Sequence, residues 1–213
     1  MLLSLSGCGQ IRDYFAIKPL PPVQLKAETL KVVESLQNKP EWLFSAVSCP
    51  VDLLPKHAEK PKFLSDGCAD SPNGCIKKCQ TGDASACYSL ALLIQEHTEI
   101  GNEVSEALFL RSCSLGIVSG CTNRAAIIFE SKKDDPIAEK CAVDTFEKAC
   151  SLDDAWACTM YGFALLEGIS REKNLKESDL ILSKACALSS SPQHPACAKA
   201  NELRKLIKSN PEQ

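Results

Sequence analysis

The sequence predicts an all-α protein, a right-handed α-solenoid of about four helical hairpins, each stapled by one disulfide. The main observation is a repeated cysteine pair, whose first members lie 34, 37 and 36 residues apart along the chain. One unit of two helices fits that period. A second observation is that bulky and small residues recur one helical turn from these cysteines. The predicted disulfides join Cys79 to Cys87, Cys113 to Cys121, Cys150 to Cys158 and Cys186 to Cys197.

The cysteine content indicates an oxidising compartment. The chain has 13 cysteines in 213 residues, which in the cytosol would suggest metal or redox chemistry and elsewhere a disulfide framework. No pair has the Cys-x-x-Cys spacing of a metal site, and the histidines are scattered. We therefore predict disulfides, with no metal site and no cofactor. The three histidines are His57, His97 and His194.

The N-terminus resembles a bacterial lipobox. An apolar run ends in Leu5-Ser6-Gly7-Cys8, so that residues 1–7 are read as the remnant of a signal peptide and Cys8 as the lipidated cysteine. Lipidation at Cys8 leaves twelve cysteines, an even number. The run is short and lacks a basic residue, which a start upstream of Met1 would explain. Gly9 after the cysteine favours a periplasm-facing outer-membrane lipoprotein of the bacterial cell envelope, with secretion or the mitochondrial intermembrane space as alternatives.

Residues 8–72 are predicted to be a proline-rich tether that carries a short helix and an irregular segment. The helix is expected over residues 26–37, where apolar residues recur at helical spacing. An apolar cluster follows and is expected to pack against the first repeat. Prolines and charges from Cys49 to Pro72 indicate irregular structure held by a disulfide. The apolar cluster consists of Trp42, Leu43, Phe44 and Val47.

Residues 73–208 are predicted to be the repeat domain, with residues 209–213 as a tail. The turn between the helices of a unit needs a residue that accepts positive φ three positions after the first cysteine. Gly82, Gly116 and Asp153 occupy that position, and Asp83 is a plausible N-cap of the next helix. The first helices place Phe109, Phe146 and Leu182 four residues before their cysteine, and the second helices place Ala91, Ala125 and Gly162 four residues after theirs.

Four cysteines lie outside the repeated pairs. Cys49, Cys68, Cys75 and Cys141 allow three connectivities, among which the sequence does not choose. Pairing of Cys68 with Cys75 is attractive because Ser71-Pro72-Asn73-Gly74 forms a turn between them. That pairing leaves Cys49 with Cys141, which would tie the N-terminal segment across the repeats.

The repeated residues resemble the Sel-1-like repeats, relatives of the tetratricopeptide repeat, and most of all their cysteine-rich branch typified by the Helicobacter cysteine-rich proteins. In that branch the first helix ends in Lys-Ala-Cys, as in Lys148-Ala149-Cys150 and Lys184-Ala185-Cys186 here. The second helix opens with a small residue and a cysteine, as in Ala157-Cys158. The resemblance covers about two thirds of the chain. Only Gly162 keeps the usual glycine within a helix, which leaves the superhelical curvature open.

Members of that branch have been described as penicillin-binding or β-lactam-hydrolysing, which makes a β-lactam hydrolase or penicillin-binding protein the alternative function. Ser170-Arg171-Glu172-Lys173 matches the Ser-x-x-Lys of such enzymes, but neither the Ser-Asp-Asn nor the Lys-Thr-Gly motif occurs. Cys75 and Cys79 are too far apart for a thioredoxin-like site. We therefore predict no catalytic residue.

The leading prediction is a non-catalytic envelope lipoprotein whose repeats bind a protein or an envelope component. Solenoids present long surfaces suited to such binding. The net charge of −3 is spread over mixed basic and acidic residues, so no nucleic-acid partner is predicted. The only membrane contact expected is the lipid anchor. A third hypothesis, an assembly factor of the intermembrane space that handles haem or metal, would require a eukaryotic source and an uncleaved N-terminus.

Overall fold

The chain folds into consecutive α-helices. The computed structural model describes residues 49–57, 71–95, 102–132 and 135–209, together with Lys31, residues 34–36, Asn38, residues 40–43 and Cys68. No β-strand occurs in these parts of the chain, which confirms the all-α class. A 3-10 helix, Pro50–Leu53, precedes the α-helices. These are α1 (Pro72–Gln80), α2 (Ala84–Gln95), α3 (Asn102–Ser114), α4 (Val118–Ser131), α5 (Pro136–Ser151), α6 (Ala155–Glu167), α7 (Leu175–Leu188) and α8 (Pro195–Ser209).

The helices pair into four units, and each helix packs against the next one in the chain. Units 1 to 4 are α1 with α2, α3 with α4, α5 with α6, and α7 with α8. The second helices of units 2, 3 and 4 also contact one another in order. Side chains also connect second helices of neighbouring units. Asn123 on α4 donates to Tyr88 on α2 of unit 1, and Thr159 on α6 donates to the carbonyl of Ala196 on α8. This neighbour-to-neighbour packing is what a repeat array requires, and the right-handed solenoid stays a prediction.

The turns within units 1 to 3 have the backbone conformation and the helix cap that the sequence predicts. Gly82, Gly116 and Asp153 have φ angles of 101°, 105° and 63°, the left-handed region in which a helix commonly ends. The carboxylate of Asp83 accepts a hydrogen bond from the Ala86 amide at 3.0 Å, and Asp154 caps α6 in the same way through Ala157. Each cap satisfies an amide that the first turn of a helix leaves without an intrahelical partner.

Each turn is clasped by a disulfide. The Cα atoms of Cys79 and Cys87 are 4.7 Å apart, and those of Cys150 and Cys158 are 4.5 Å apart. Unit 2 has the Cys113–Cys121 pair and unit 4 the Cys186–Cys197 pair, the latter with a sequence separation of 11 rather than 8. A disulfide requires its Cα atoms to lie within about 7 Å, and the antiparallel hairpin supplies that separation.

The residues one helical turn before the first cysteines form the centre of the core. Phe109, Phe146 and Leu182 are completely buried. Gly162 on α6 faces Leu182 so closely that a Cβ atom there would lie 2.6 Å from the Leu182 Cγ. Small residues at this position therefore let the helices approach, as the sequence pattern predicts.

Helix α8 presents a charged outer face. Phe163, Leu165 and Leu166 on α6 are buried, whereas the residues at the matching positions of α8 are Glu202, Arg204 and Lys205, which lie at least partly in solvent. Terminal units of repeat arrays commonly carry such a polar outer face. The outer side of α8 is thus suited to water rather than to the stacking of a further unit.

The N-terminal segment packs on the first unit and then crosses to the third. Leu36 and Leu43 are buried among side chains of α1, α2 and α3, as expected for Leu43. Residues Lys31, Glu34, Ser35 and Leu36 of the predicted 26–37 helix are helical, while Phe44 and Val47 lie outside the described residues. Where irregular structure is predicted, Pro50–Leu53 forms a 3-10 helix that contacts α3, α4 and α5. We call residues 40–43 and 49–57 the strap.

Candidate binding groove

A basic residue stands two positions before the first cysteine of every unit. Arg111 of unit 2 donates through Nε to the carbonyl of Cys79 at 3.2 Å and through Nη2 to that of Gln80 at 3.0 Å. Lys184 of unit 4 donates to the carbonyl of Cys150 at 2.8 Å. These carbonyls belong to the last turn of the preceding unit's first helix, which carries partial negative charge and lacks intrahelical donors. Each of these two cations therefore caps the helix of its neighbouring unit.

The strap contacts the row of basic residues at Arg111. The remaining nitrogen of the guanidinium, Nη1, donates to the carbonyl of Trp42 at 2.7 Å. The guanidinium also lies over the Trp42 ring, 5.1 Å from its centroid, where the negative face of the ring attracts a cation. Leu43 next to it is buried. Arg111 thus fixes the strap and the end of α1 with one planar group.

At unit 3 the strap contacts Lys148, the next basic residue of the row. Lys148 donates to the carbonyl of Val51 at 3.2 Å, whereas its counterparts in units 2 and 4 cap a preceding helix. The Cys49–Cys141 disulfide attaches the strap to α5, and Pro50 and Leu54 are buried nearby. Over units 2 and 3 the groove between successive first helices is therefore filled by the strap, a piece of the same chain.

A cavity of about 310 Å³ lies where the two parts of the strap meet α3. Its volume is at the lower end of the range for small-molecule sites. All three nitrogens of Arg111 already donate to carbonyl oxygens, and Ser114 donates to the carbonyl of Arg111. The walls of the cavity are formed by Glu41, Trp42, Leu43, Leu53, Leu110, Arg111 and Ser114.

The groove between α5 and α7 holds an ionic cluster. Arg171, from the loop before α7, donates to Asp144 at 2.7 Å and to Glu147 at 2.6 Å. These two hydrogen bonds raise the pKa of Arg171 above its ordinary value. Burial pushes the pKa of Asp144 upward, but the hydrogen bonds from Lys140 and Arg171 outweigh it and hold the pKa below its usual range. The cluster is thus charged and internally paired at neutral pH.

Tyr161 lies between the two walls of that groove. Burial raises the pKa of its hydroxyl, and the charges of Glu147 on α5 and Glu177 on α7 add to the effect. A phenol with a raised pKa stays protonated and donates hydrogen bonds at neutral pH. The arrangement orders side chains and provides neither an activated nucleophile nor a free base.

The remaining sequence-predicted residues are placed as follows. Cys68 is bonded to Cys75 and Cys49 to Cys141, so all twelve cysteines other than Cys8 are paired, while Cys8 lies outside the described residues. Ser170 is exposed in the loop before α7, with a φ of 50°. Within the described parts of the chain, no group of three His, Cys, Asp or Glu side chains is arranged to hold a metal ion.

The sequence reasoning missed the row of cations. Lys148 and Lys184 belong to the Lys-Ala-Cys pattern, whereas Arg111 belongs to no motif of the sequence. The signal was present, because Lys77, Arg111, Lys148 and Lys184 all stand two residues before a first cysteine. On an isolated helix this basic residue would face solvent. Because it recurs at the same position in every unit, it indicates a contact between units.

Among the described helices, none is both long and apolar enough to span a bilayer. Comparison of the chain with family models, with curated proteins and with solved structures gives no match. The Sel-1-like family therefore stays a prediction from the residues.

Proposed function

We propose that this chain is a non-catalytic lipoprotein of the bacterial cell envelope, whose Sel-1-like repeats form a right-handed α-solenoid that binds a protein or an envelope component. The observation that carries the proposal is the seating of the strap. Arg111 and Lys148, at equivalent positions of successive units, each donate to a main-chain carbonyl of the strap. A surface that holds one polypeptide segment through cations repeated from unit to unit has the chemistry to hold another.

The disulfides support an oxidising compartment for this chain. The structure contains six of them, which indicates an oxidising environment outside the cytoplasm. Lipidation of Cys8 and a periplasm-facing position on the outer membrane are our proposal, supported by the lipobox-like Leu5-Ser6-Gly7-Cys8. Secretion and the mitochondrial intermembrane space remain the alternatives.

Intact mass spectrometry of the protein from its native membrane fraction tests the anchor. We expect a mass for a diacylated chain that begins at Cys8, with no further thiol available for alkylation until a reductant is added. The matched control is a Cys8→Ala variant, which should leave the membrane fraction. A full-length, unlipidated chain in the soluble fraction would refute the lipoprotein proposal.

Crosslinking in the native host tests the binding function. A photo-crosslinking amino acid is introduced in separate variants at three surfaces: Leu180 on the first-helix side, Asn123 on the second-helix side and Leu206 on α8. We expect a discrete adduct from one surface, which excess uncrosslinkable protein competes away. Adducts that are absent or equal at all three surfaces would count against a specific binding protein.

The alternative, a β-lactam hydrolase or penicillin-binding protein, is tested with the same preparation. Ser170 and Lys173 are exposed residues of the loop before α7, and no contact of theirs favours nucleophilic chemistry over a loop role. We expect no hydrolysis of a chromogenic cephalosporin above that of a Ser170→Ala control. Turnover at an ordinary enzymatic rate that this substitution abolishes would replace our proposal with the alternative.

A further inference from the structure

The Cys49–Cys141 disulfide differs from the other five disulfides in its exposure to solvent. Both of its cysteines are partly exposed, whereas each of the other bridges has at least one buried cysteine. In the unit 1 bridge, for example, Cys79 and Cys87 are both completely buried. A disulfide is opened when a thiolate attacks one of its sulfur atoms, so the rate depends on access to that sulfur. Cys49–Cys141 is therefore the bridge that an external thiolate reaches most readily.

This disulfide also differs from the others in what it holds together. The four hairpin bridges join the ends of helices that pack against each other along their length, so that opening one of them leaves the packed pair in place. Cys49–Cys141 joins the strap to α5 across 92 residues. Its opening removes the covalent bond between the strap and the repeats, and so bears on which surface of the repeats the strap covers.

The noncovalent contacts of the strap are unequal along its length. At unit 2 the carbonyl of Trp42 accepts a hydrogen bond from Arg111 at 2.7 Å, the guanidinium lies over the Trp42 ring, and Leu43 is buried. At unit 3 the exposed Lys148 donates to the carbonyl of Val51 over a longer distance, 3.2 Å, and such exposed contacts of a lysine are weak. Residues 49–57 therefore depend on the bridge more than residues 40–43 do.

Residues 49–57 cover an apolar surface of the repeats. The 3-10 helix Pro50–Leu53 contacts α3, α4 and α5. Leu54 belongs to the apolar core of units 2 to 4, and Val51 and Leu53 pack against that core. If these residues left, an apolar surface beside the ammonium of Lys148 would be uncovered, and apolar surfaces of this kind are typical of protein interaction sites.

We propose that Cys49–Cys141 is a site of thiol–disulfide exchange, at which a protein dithiol of the same compartment opens the bridge and frees residues 49–57 from α5. One thiolate of the dithiol attacks a sulfur of the bridge and forms a mixed disulfide, while the other cysteine leaves as a thiolate and takes up a proton. The second thiolate of the dithiol then displaces the remaining cysteine, which is protonated in turn. The dithiol is thereby oxidised to a disulfide, and its two electrons and two protons pass to Cys49 and Cys141.

The exchange adds a form of regulation to the proposed binding function. With the bridge closed, the strap covers the surface between α3 and α5, and with the bridge open this surface becomes available to a partner. Only this use of the uncovered surface rests on the proposed function, because the exchange and the release of residues 49–57 are properties of the chain itself.

Graded reduction with dithiothreitol tests the exchange site. The full chain with Cys8→Ala, which has no thiol outside the six bridges, is treated without denaturant, alkylated at intervals and mapped by mass spectrometry. We expect Cys49 and Cys141 to become alkylated together, at least about tenfold faster than the control bridge Cys79–Cys87, because the sulfur atoms of the control are buried. Circular dichroism should stay unchanged during this first step.

Hydrogen exchange tests the release of residues 49–57. The variant that combines Cys49→Ser with Cys141→Ser represents the open bridge, and its amide exchange is compared with that of the oxidised chain by mass spectrometry. We expect exchange in residues 50–57 to be about tenfold faster or more in this variant, including the Leu54 amide that donates to the carbonyl of Val51. Exchange within α7 and α8 should stay the same.

Three outcomes would overturn the inference. They are alkylation of Cys49 and Cys141 no faster than that of the control bridge, alkylation that begins only as helicity is lost, and unchanged exchange of residues 50–57 in the open variant. The proposed function is judged separately by crosslinking. A specific adduct would keep the binding function even if this bridge does not exchange, and a lack of adducts would remove the binding function while the bridge could still be opened.

Discussion

The ammonium of Lys184 lies 2.8 Å from the carbonyl oxygen of Cys150, at the end of the first helix of the preceding unit. Arg111 makes the equivalent contact to Cys79 at 3.2 Å. Both cations meet carbonyls that a helix leaves without donors, at the end where the helix dipole is negative. The repeats are therefore joined by a charged cap as well as by apolar packing.

Removal of this cap should destabilise the fold measurably. We expect Lys184→Met to lower the free energy of unfolding by about 1 to 2 kcal/mol, because it removes a charge-assisted hydrogen bond and a favourable dipole contact. The measurement is urea unfolding with the disulfides intact, followed by circular dichroism. Lys176→Met, on the exposed side of α7, is the control and should change stability by less than about 0.5 kcal/mol. Equal losses in both variants would contradict the cap.

The six disulfides should differ in their contribution according to the length of chain that they close. Cys49–Cys141 spans 92 residues, while Cys79–Cys87 spans 8. In the chain-entropy model the first stabilises the fold by about 4 to 5 kcal/mol and the second by about 2.5 kcal/mol. Paired Cys→Ala substitutions at each bridge, compared by urea unfolding, measure the difference. A larger loss at Cys79–Cys87 would show that native packing rather than chain entropy dominates.

Much of the helical array could be predicted because its determinants are local. The distance from Cys150 to Cys158, the turn at Asp153 and the cap at Asp154 all lie within ten residues, and each follows from the chemistry of one short stretch. Likewise, Phe146 is recognisable as a core residue from its place one helical turn before Cys150.

The course of the strap could not be predicted in the same way. It depends on the contact of Cys49 with a residue 92 positions away. The turn between Cys68 and Cys75 favours this connectivity among the three that four cysteines allow, but no local pattern tells which helices the segment crosses. The stacking of Trp42 on Arg111 depends on that course.

Gly120 is required by the close approach of α3 and α4. A Cβ atom there would lie 2.8 Å from the carbonyl oxygen of Phe109 and 2.9 Å from the amide nitrogen of Cys113. Because these are backbone atoms of a helix tied to α4 by Cys113–Cys121, they cannot move away cheaply. We expect Gly120→Ala to destabilise the protein by about 2 to 3 kcal/mol in urea unfolding.

The control for this substitution is Gly74→Ala on α1. A Cβ atom at Gly74 would meet the hydroxyl oxygen of Ser71 at 2.8 Å, a flexible side chain that can rotate away. Alanine is the better helix former by about 1 kcal/mol, so we expect this variant to be neutral or stabilised. Equal losses of unfolding free energy in the two variants would contradict the steric explanation for Gly120.

Tyr88 should make the stability of the fold sensitive to alkaline pH. The residue is 8% exposed. Burial, with the charge of Asp154 in addition, raises the pKa of Tyr88 from 10.0 to about 12, while the hydrogen bond from Asn123 opposes the rise. The folded chain therefore holds this proton more tightly than the unfolded chain. The resulting stabilisation is fully present below pH 10 and is lost as the pH rises to about 12, a loss of roughly 2 to 3 kcal/mol. Urea unfolding at pH 9 and at pH 11.5 should show a smaller decrease for Tyr88→Phe than for the unchanged chain, and parallel decreases would contradict the assignment.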